Sequence, residues 1–256
     1  MKNIKPIGKI LGATPDSYLD SFYGQRPLWL QGYISHFDAR FLFKKALEAR
    51  TALVVEIGTA SGFSTAVLCH ALDLASQAGL VGSDYKVVSY DIDPMFYADR
   101  TIRTGEGARE QLSKDLLNHI VFRNPAVATD TRQDFAHGQV EFLFIDANHD
   151  HPWPTLDLIA MLDCLAPGAT VILHDINLPI LIPTSSGWGP KYLFDELEIE
   201  KRVPEDGVLA NIGSITIPRV KKALKKQLLK ILYAHDWQAD ISQEYLDRIG
   251  VERKPA

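Results

Sequence analysis

The feature that most constrains the fold is an alternation of short β-rich runs and helical patterns between residues 52 and 218. Strand patterns occur at ALVVEIG (52–58), KVVSYDI (86–92), HIVFRN (119–124), VEFLFID (140–146), ATVILHD (169–175) and IGSITIP (212–218). Helical patterns lie between several of them, at 64–77, 106–118, 153–166 and 190–200. Parallel strands need crossover connections, which helices usually supply. The alternation therefore predicts a doubly wound α/β sheet with helices on both faces.

The length and the absence of linkers predict one domain. The chain has 256 residues, and no Ser/Gly-rich segment divides it. We expect a single domain over residues 1–256, with an N-terminal helical cap (1–48), a cofactor-binding core (49–218) and a C-terminal helical tail (219–256). In the tail, VKKALKKQLLKILYAHDW (220–237) places its apolar residues on one face and its lysines largely opposite. This pattern predicts a helix docked on its own domain, with a dimer contact or a membrane-surface helix as alternatives.

Charge and hydropathy disfavour several classes of partner. A net charge of -5 provides no basic field to attract nucleic acid or anionic lipid, so we expect neither partner. No apolar run reaches the ~18 residues of a membrane span, and MKNIKPIGKILGA (1–13) lacks the apolar segment of a secretion signal. Cys69 and Cys164 lie inside apolar helical patterns, which predicts buried small side chains. Together these features predict a cytoplasmic protein.

A glycine-bearing turn, Gly58-Thr59-Ala60-Ser61-Gly62, connects the first strand to a helix and predicts a nucleotide site. The middle glycine of G-x-G-x-x-G is absent and no Gly-Lys-Ser/Thr follows, which disfavours a dinucleotide and a P-loop phosphate. Glu56, just before the turn, favours a cation. The next strand ends in Tyr90-Asp91-Ile92-Asp93, where a carboxylate can bind both ribose hydroxyls. A nucleoside with a positive charge and no phosphate describes S-adenosylmethionine, and a tight turn without a ligand is the alternative.

Two motifs carry a resemblance to a known family. EIGTASGFS (56–64) resembles the first motif of class I S-adenosylmethionine-dependent methyltransferases, and SYDIDP (89–94) resembles their second, acidic motif. The ordered motifs cover roughly residues 30–218 and are most similar to small-molecule O-methyltransferases, of the catechol and caffeoyl-CoA type and of the group with the cephalosporin-biosynthesis methyltransferase. The resemblance implies a Rossmann-like sheet of seven strands, mostly parallel with the last strand antiparallel. It also implies methylation of a small hydroxylated metabolite.

The same resemblance assigns cofactor-binding residues. It implies that the turn lies beneath the methionine portion, that Asp91 binds the ribose and that Ile92 packs against the adenine. Ser64 corresponds to a serine that binds the cofactor carboxylate, and the N–H groups of a helix N-terminus suit the same anion. Asp93 is the competing ribose ligand, but we expect it to cap the turn. With Asp130 at the adenine edge, the predicted set is Glu56, Gly58, Thr59, Ala60, Gly62, Ser64, Asp91, Ile92, Asp130 and Asp146.

Acidic and histidine side chains recur where the later strands end. Ile145-Asp146-Ala147-Asn148-His149 stands where nitrogen methyltransferases usually carry Asp/Asn-Pro-Pro-Tyr/Phe, and His174-Asp175 ends the fifth strand. Because the carboxyl ends of parallel strands lie side by side, we expect these groups to share one cleft. His149 corresponds to the family's histidine and, with an ordinary pKa of about 6.5, is the predicted general base. His151, just before Pro152, is expected to cap the next helix.

The resemblance implies a metal site but leaves its occupancy open. Asp146 and Asp175 correspond to the two aspartates that hold magnesium in catechol-type enzymes, whereas Ile176 replaces the asparagine. In the cephalosporin-type enzymes an acid–Asp pair supplies two ligands and corresponds here to His174-Asp175. We predict Asp146, His174 and Asp175 as ligands of a divalent ion, Mg²⁺ or Mn²⁺, although histidine prefers softer ions than magnesium. A metal-free site that relies on the histidine base alone is the alternative.

The predicted reaction is an in-line displacement: a substrate oxygen attacks the sulfonium methyl and S-adenosylhomocysteine leaves. His149 and Asp175 are the predicted catalytic residues, since either the histidine accepts the proton or a metal on the aspartates acidifies the hydroxyl. Residues 31–37 and LPILIPTSSGWGP (178–190) are expected to close over a partly apolar, hydroxylated acceptor. Two other functions stay open: a non-catalytic protein that binds S-adenosylmethionine or S-adenosylhomocysteine, and an NAD-dependent oxidoreductase.

Overall fold

The structure is a computed structural model that describes residues 14–205 and 209–253. Its packing groups the chain into two compact units, Met1–Ala126 and Val127–Ala256. The segment MKNIKPIGKILGA (1–13), interpreted above as lacking a secretion signal, lies outside the described residues. Within the described ranges, no helix is both long and apolar enough to cross a membrane.

The first unit contains three parallel strands and five helices among its described residues. In chain order they are α1 (Pro15–Gly24), α2 (His36–Ala49), β1 (Leu53–Ile57), α3 (Phe63–Gln77), β2 (Lys86–Tyr90), α4 (Glu106–Gln111), α5 (Lys114–Leu117) and β3 (Ile120–Arg123). Val55 pairs with Val88, and Val88 pairs with Val121. Val54, Val55 and Val87 are fully buried. Strands that are covered on both faces read as continuous apolar runs, which explains why the sequence locates these strands well.

The single helix predicted over residues 106–118 is wrong, because the structure divides it into α4 and α5. The Ser113 hydroxyl accepts a hydrogen bond from the Leu116 backbone N–H, so Ser113 is the N-cap of α5. Serine prefers a helix start to a helix interior for this reason. The charged residues around Ser113 fit a helical period, and the cap interrupts it.

The second unit contains four strands among its described residues. Its elements are a 3₁₀ turn (Ala128–Asp130), α6 (Thr131–Asp134), β4 (Val140–Ile145), α7 (Trp153–Met161), β5 (Leu165–His174), α8 (Leu178–Leu181), α9 (Gly189–Glu196), β6 (Lys201–Arg202), β7 (Ile212–Thr216), α10 (Lys221–Ala234) and α11 (Gln243–Ile249). β4 and β5 run parallel. β7 runs antiparallel to both of its neighbours, β5 and β6.

The strand order of the seven-stranded sheet is β3-β2-β1-β4-β5-β7-β6. The predicted fold class, a doubly wound and mostly parallel sheet with one antiparallel strand, is therefore confirmed. Six of the seven strands coincide with the apolar runs of the sequence. The exception is β6, whose two residues, Lys201 and Arg202, are too few and too polar to produce a strand pattern. The single domain predicted for residues 1–256 stays a prediction, as does the cytoplasmic location.

The C-terminal helix α10 buries its apolar face within the second unit. Leu224, Leu228, Ile231 and Leu232 are at most 1% exposed. Lys221, at the start of the helix, donates to the Leu162 carbonyl after α7. The docked helix predicted from the sequence agrees with this arrangement, and a homodimer stays a prediction. Cys69 and Cys164 are free and buried, as expected.

Candidate functional site

The predicted cofactor turn connects β1 to α3 through backbone conformations that favour glycine. Gly58, Ala60 and Gly62 have φ angles of 99°, 45° and 83°. A Cβ atom on Gly62 would lie 2.8 Å from the Gly105 Cα atom, so both the dihedral angle and the close approach require glycine there. The N-cap of α3 is Gly62, which has no side chain that could accept a hydrogen bond from the first-turn N–H groups.

Glu56 is fully buried at the end of β1 and is held by three hydroxyl groups. Its carboxylate accepts hydrogen bonds from Ser64 Oγ at 2.5 Å, Thr65 Oγ1 at 2.5 Å and Ser89 Oγ at 2.6 Å. Burying a carboxylate is costly unless such donors compensate. The Ser64 hydroxyl, predicted to bind the cofactor carboxylate, donates to Glu56 here. Its predicted role in binding the cofactor carboxylate stays a prediction.

Asp91 connects the end of β2 to the turn. Its Oδ2 atom accepts from the backbone N–H groups of Thr59 at 3.1 Å and Ala60 at 2.8 Å, and Oδ1 accepts from that of Asp93 at 2.9 Å. The side chain of the next residue, Ile92, is 67% exposed, which is unusual for an isoleucine after a buried strand. These two residues stand where the sequence places the ribose and the adenine.

Asp93 has the structural role that the sequence predicts. Its carboxylate accepts a hydrogen bond from the Met95 N–H at 2.9 Å and pairs with Arg100. It therefore caps the turn after β2. The Arg100 hydrogen bond is the main reason that the pKa of Asp93 lies below its usual value.

Gly105 and Gly107, which the sequence motifs do not include, hold the cofactor turn through backbone hydrogen bonds. The Gly105 N–H donates to the Ala60 carbonyl at 2.9 Å, and the Gly107 N–H donates to the Ser61 carbonyl at 2.8 Å. A Cβ atom on Gly107 would lie 2.7 Å from the Ser61 oxygen. The only signal in the sequence is the glycine pair in Thr-Gly-Glu-Gly (104–107), which overlaps the start of the helical pattern predicted over 106–118.

Asp130, predicted at the adenine edge, lies in an ion pair of the second unit. Its carboxylate pairs with Arg248 of α11 and accepts the Val127 N–H at 2.8 Å, which closes the 3₁₀ turn. The adenine contact stays a prediction, and it would have to compete with Arg248.

The second unit brings two aspartates and two histidines together after β4 and β5. His149 Nε2 lies 3.3 Å from Asp146 Oδ1 and 3.0 Å from Asp175 Oδ2. His174 Nδ1 lies 3.1 Å from Asp146 Oδ1 and 3.6 Å from Asp175 Oδ2. We call these four residues the acid–imidazole cluster. The structure thus places in one cluster the residues that the sequence assigned to catalysis and metal binding.

Burial and charge shift the pKa values within the acid–imidazole cluster. Burial lowers the pKa of His149, but the hydrogen bond to Asp146 and the charge of Asp175 outweigh it, and the pKa lies above its usual value. Burial likewise lowers the pKa of His174, and the two aspartates raise it to a value well above normal. Burial raises the pKa of Asp146, but the charge of His174 and the histidine hydrogen bonds hold it well below its usual range. The cluster therefore favours imidazolium–carboxylate pairs.

Three members of the acid–imidazole cluster have the spacing of a metal site. One donor atom from each of Asp146, His149 and Asp175 lies within 4.8 Å of the other two. Two carboxylate oxygens and one imidazole nitrogen suit Mn²⁺, Fe²⁺ or Zn²⁺ better than Mg²⁺. The residues fit a divalent ion, and the imidazole in this set belongs to His149, whereas the sequence assigned that ligand to His174.

Asn211 completes the surroundings of Asp175 and was not identified from the sequence. Its side-chain amide donates to Asp175 Oδ1 at 2.5 Å. Asp175 itself has a φ of 56°, a left-handed conformation that is uncommon for residues other than glycine. The loop between β6 and β7 carries no motif, so only the pairing of β5 with β7 could have indicated this contact.

The prediction that His151 caps the following helix is wrong. Pro152 is the N-cap of α7, without a side-chain capping bond. The His151 ring is fully buried instead, and its Nε2 atom lies 3.2 Å from the Leu232 carbonyl of α10. A tertiary contact between segments far apart in sequence determines its role.

The loop predicted to close over the acceptor packs directly on His149. The Gly189 N–H donates to the His149 carbonyl at 2.9 Å, and a Cβ atom on Gly187 would lie 2.6 Å from His149 Cβ. Just after Asp175, the side chains of Ile180, Leu181 and Ile182 are about half exposed (51%, 47% and 51%). An apolar, exposed surface thus follows the acid–imidazole cluster.

Residues 31–37, the other segment that is predicted to close over the acceptor, belong to the first unit. Residue 35 is the N-cap of α2, and residues 36 and 37 begin the helix. Closure over a substrate stays a prediction for both segments.

Comparisons with known proteins concern the domain and the fold. Residues 55–176 match the family described as methyltransferase domain. The chain is similar to the O-methyltransferase from Bacillus cereus in complex with S-adenosylhomocysteine (16% identity, 82% of this chain and 94% of that chain, TM-score 0.53). It is also similar to the O-methyltransferase TomG from Streptomyces achromogenes, involved in tomaymycin synthesis and solved with S-adenosylmethionine (16% identity, 80% and 90% covered, TM-score 0.51). A third similar structure is the S-adenosylhomocysteine-bound methyltransferase PaMTH1 from Podospora anserina (12% identity, 81% and 89% covered, TM-score 0.53). No curated protein sequence matches the chain.

At these identities the structural likeness establishes the fold. The predicted resemblance to methyltransferases is supported by the methyltransferase domain that matches residues 55–176, whereas the O-methyltransferase type stays a prediction. The residues that bind the cofactor and the acceptor stay predictions.

Proposed function

We propose that this chain, an enzyme with a methyltransferase domain over residues 55–176, transfers the methyl group of S-adenosylmethionine to a hydroxyl oxygen of a small metabolite. The observation that carries the proposal is the position of His149 Nε2 between two carboxylates, 3.3 Å from Asp146 and 3.0 Å from Asp175. A nucleophilic oxygen must lose a proton during the reaction, and an imidazole supported by carboxylates is suited to accept it.

The cofactor would be bound by the first unit. The uncapped N-terminus of α3 suits the cofactor's α-carboxylate. Asp91 would bind the ribose hydroxyls, and adenine stacked on Ile92 would cover part of the surface of this exposed residue. Glu56 would act through the turn, since its carboxylate oxygens are already bonded to Ser64, Thr65 and Ser89.

The acceptor hydroxyl would be activated by the second unit. In the neutral His149 ring, Nε2 would carry the hydrogen and face Asp146 and Asp175. The other ring nitrogen, Nδ1, would then accept the proton of the acceptor hydroxyl. The two carboxylates then stabilise the imidazolium that forms, as in other carboxylate–histidine pairs. The attacking oxygen, the methyl carbon and the sulfur must lie in line, so the protein's main contribution is alignment.

A divalent ion fits the same residues. Asp146, His149 and Asp175 would hold it, and when bound it would lower the pKa of an acceptor hydroxyl. The exposed Ile180, Leu181 and Ile182, together with Ser185 and Ser186, support an acceptor that combines an apolar ring or chain with hydroxyl groups.

Calorimetry and a product assay test the proposal together. We expect the purified protein to bind S-adenosylmethionine and S-adenosylhomocysteine but not NAD, and to release S-adenosylhomocysteine with a phenolic, sugar or other hydroxylated metabolite. Binding without release from a broad acceptor library would favour the non-catalytic alternative. Binding of NAD in place of the adenosyl ligands would favour the oxidoreductase.

The metal is tested in the same assay. If an ion is required, activity falls after dialysis against a chelator and returns with Mn²⁺, and Asp175→Asn weakens Mn²⁺ binding. If the imidazole acts alone, chelation changes nothing, and Asp175→Asn lowers the catalytic rate.

A further inference from the structure

Asn211 occupies a position that only the pairing of two distant strands creates. β5 and β7 are antiparallel with His174 opposite Ile212, so the residue before β7 lies beside the residue after β5. These residues are Asn211 and Asp175. The predicted catalytic carboxylate therefore faces an amide side chain from a segment that carries no motif.

The hydrogen bonds of Asn211 form a clamp on the turn that follows β5. Its Nδ2 atom donates to Asp175 Oδ1 at 2.5 Å, and its Oδ1 atom accepts the Asn177 N–H at 3.1 Å. Its backbone carbonyl accepts the Ile176 N–H at 3.2 Å. Three consecutive residues are thus held by one asparagine. The first of them, Asp175, has the left-handed φ of 56° that needs such support.

The clamp determines which oxygen of Asp175 is available. Because Oδ1 is bonded to Asn211, the other oxygen, Oδ2, lies 3.0 Å from His149 Nε2 and 3.6 Å from His174 Nδ1. An asparagine suits this place better than an aspartate, since the amide donates to a carboxylate that a second carboxylate would repel.

We propose that Asn211 is a positioning residue, which fixes the Asp175 carboxylate so that Oδ2 faces His149. The inference rests on the proposed function for its catalytic consequence, although the clamp itself does not. Groups that orient a catalytic or metal-binding side chain typically change activity or affinity by about 10- to 100-fold when they are removed.

The decisive variant is Asn211→Asp, which keeps the shape and the oxygen that accepts the Asn177 N–H but loses the amide donor. The matched control is Asn177→Ala. It removes the hydrogen bond that the Asn177 amide donates to the Ala210 carbonyl at 2.6 Å and the one that it accepts from Lys191 Nζ at 3.1 Å, and it keeps the backbone N–H that Asn211 Oδ1 accepts. If Asn211→Asp does not fold, Asn211→Ser replaces it. The serine side chain is shorter, so its hydroxyl cannot reach Asp175 Oδ1 as the amide does.

Three readouts separate positioning from stability: the kcat and KM of methyl transfer, thermal melting, and the NMR resonances of the His149 and His174 rings in the ligand-free protein. We expect Asn211→Asp to lower kcat about 10- to 100-fold with an unchanged KM for S-adenosylmethionine, and to shift the ring resonances. Asn177→Ala should change melting only. The proposal is overturned if Asn211→Asp leaves kcat and the resonances unchanged, or if Asn177→Ala reproduces both effects. If the wild type methylates no acceptor, the proposed function fails, and the ring resonances alone decide whether Asn211 positions the carboxylate.

Discussion

His149 Nε2 lies 3.0 Å from Asp175 Oδ2, and the two residues belong to loops that follow different strands of the second unit, β4 and β5. The His149 ring is partly exposed, whereas the Asp175 carboxylate is buried. An ion pair of this kind stabilises the protonated imidazole and makes the neutral imidazole a stronger base. The relationship therefore has a direct consequence for the pH dependence of the reaction.

We expect the kcat of the chelator-treated enzyme to rise with pH and to level off above the usual histidine pKa of about 6.5. The base must be neutral, and although burial lowers the pKa of His149, the aspartates raise it above its usual value. The increase should therefore occur at a higher pH than for a solvent-exposed histidine. Steady-state rates measured from about pH 5.5 to 9 check this.

Asp175→Asn provides the control for that profile. It removes one of the negative charges that raise the pKa of His149, so the midpoint should move to lower pH while the maximal rate falls. A rate that does not vary over this pH range, or a midpoint that moves upward in the variant, would contradict the role of His149 as the base.

The second prediction concerns the ribose. Asp91→Ala should weaken the binding of S-adenosylhomocysteine by about 1.5–3 kcal/mol, the usual contribution of hydrogen bonds to a charged group. Isothermal calorimetry measures the affinity. The matched control is Asp93→Ala, which removes a neighbouring carboxylate that binds Met95 and Arg100 instead. Equal losses in the two variants would show that the turn as a whole, and not Asp91, binds the nucleoside.

The sequence predicted the fold and all four residues of the acid–imidazole cluster because both depend on local patterns. Buried strands read as apolar runs, and the residues that end them fall at one edge of the sheet. Asn211 could not be predicted in this way, since it meets Asp175 only through the register of β5 and β7. The same reason explains the error at His151, whose partner is a carbonyl of α10.

The partners of Glu56 show a second limit. Ser64, Thr65 and Ser89 lie on two different elements, and in sequence they resemble ordinary small core residues. The sequence therefore placed Glu56 near the cationic ligand, but it gave no sign that three hydroxyl groups already satisfy the carboxylate.

The third prediction concerns the cofactor turn. Gly62→Ala should destabilise the protein by more than the ~1–2 kcal/mol that a left-handed backbone costs a residue with a side chain. Its φ is 83°, and the added Cβ would lie 2.8 Å from backbone atoms of Gly105 that cannot move aside cheaply. Gly79→Ala is the matched control, since its φ is 67° and no atom of the described residues lies within 4 Å of the added Cβ. Urea denaturation of both variants isolates the steric part, and equal losses would mean that the turn is not tightly packed.

The fourth prediction concerns a buried carboxylate outside the proposed site. Burial raises the pKa of Asp157 on α7 to about 7. A hydrogen bond from Tyr245 of α11 lowers this pKa, but the effect of burial is larger. The Tyr245 hydroxyl lies 3.2 Å from Asp157 Oδ1. Because the folded pKa lies above the unfolded value of about 3.9, the unfolded state loses its proton first as the pH rises.

Asp157 should therefore lower the free energy of unfolding by up to roughly 4 kcal/mol between about pH 4 and pH 7. Above pH 7 its contribution should no longer change with pH. In Asp157→Asn the amide does not titrate, so this part of the decline should disappear and the variant should be more stable than the wild type at pH 8. Urea denaturation of both proteins at pH 4.5, 6 and 8 measures the difference. If the variant is instead less stable at pH 8, the carboxylate is ionised in the folded protein and its bond to Tyr245 outweighs the cost of burial.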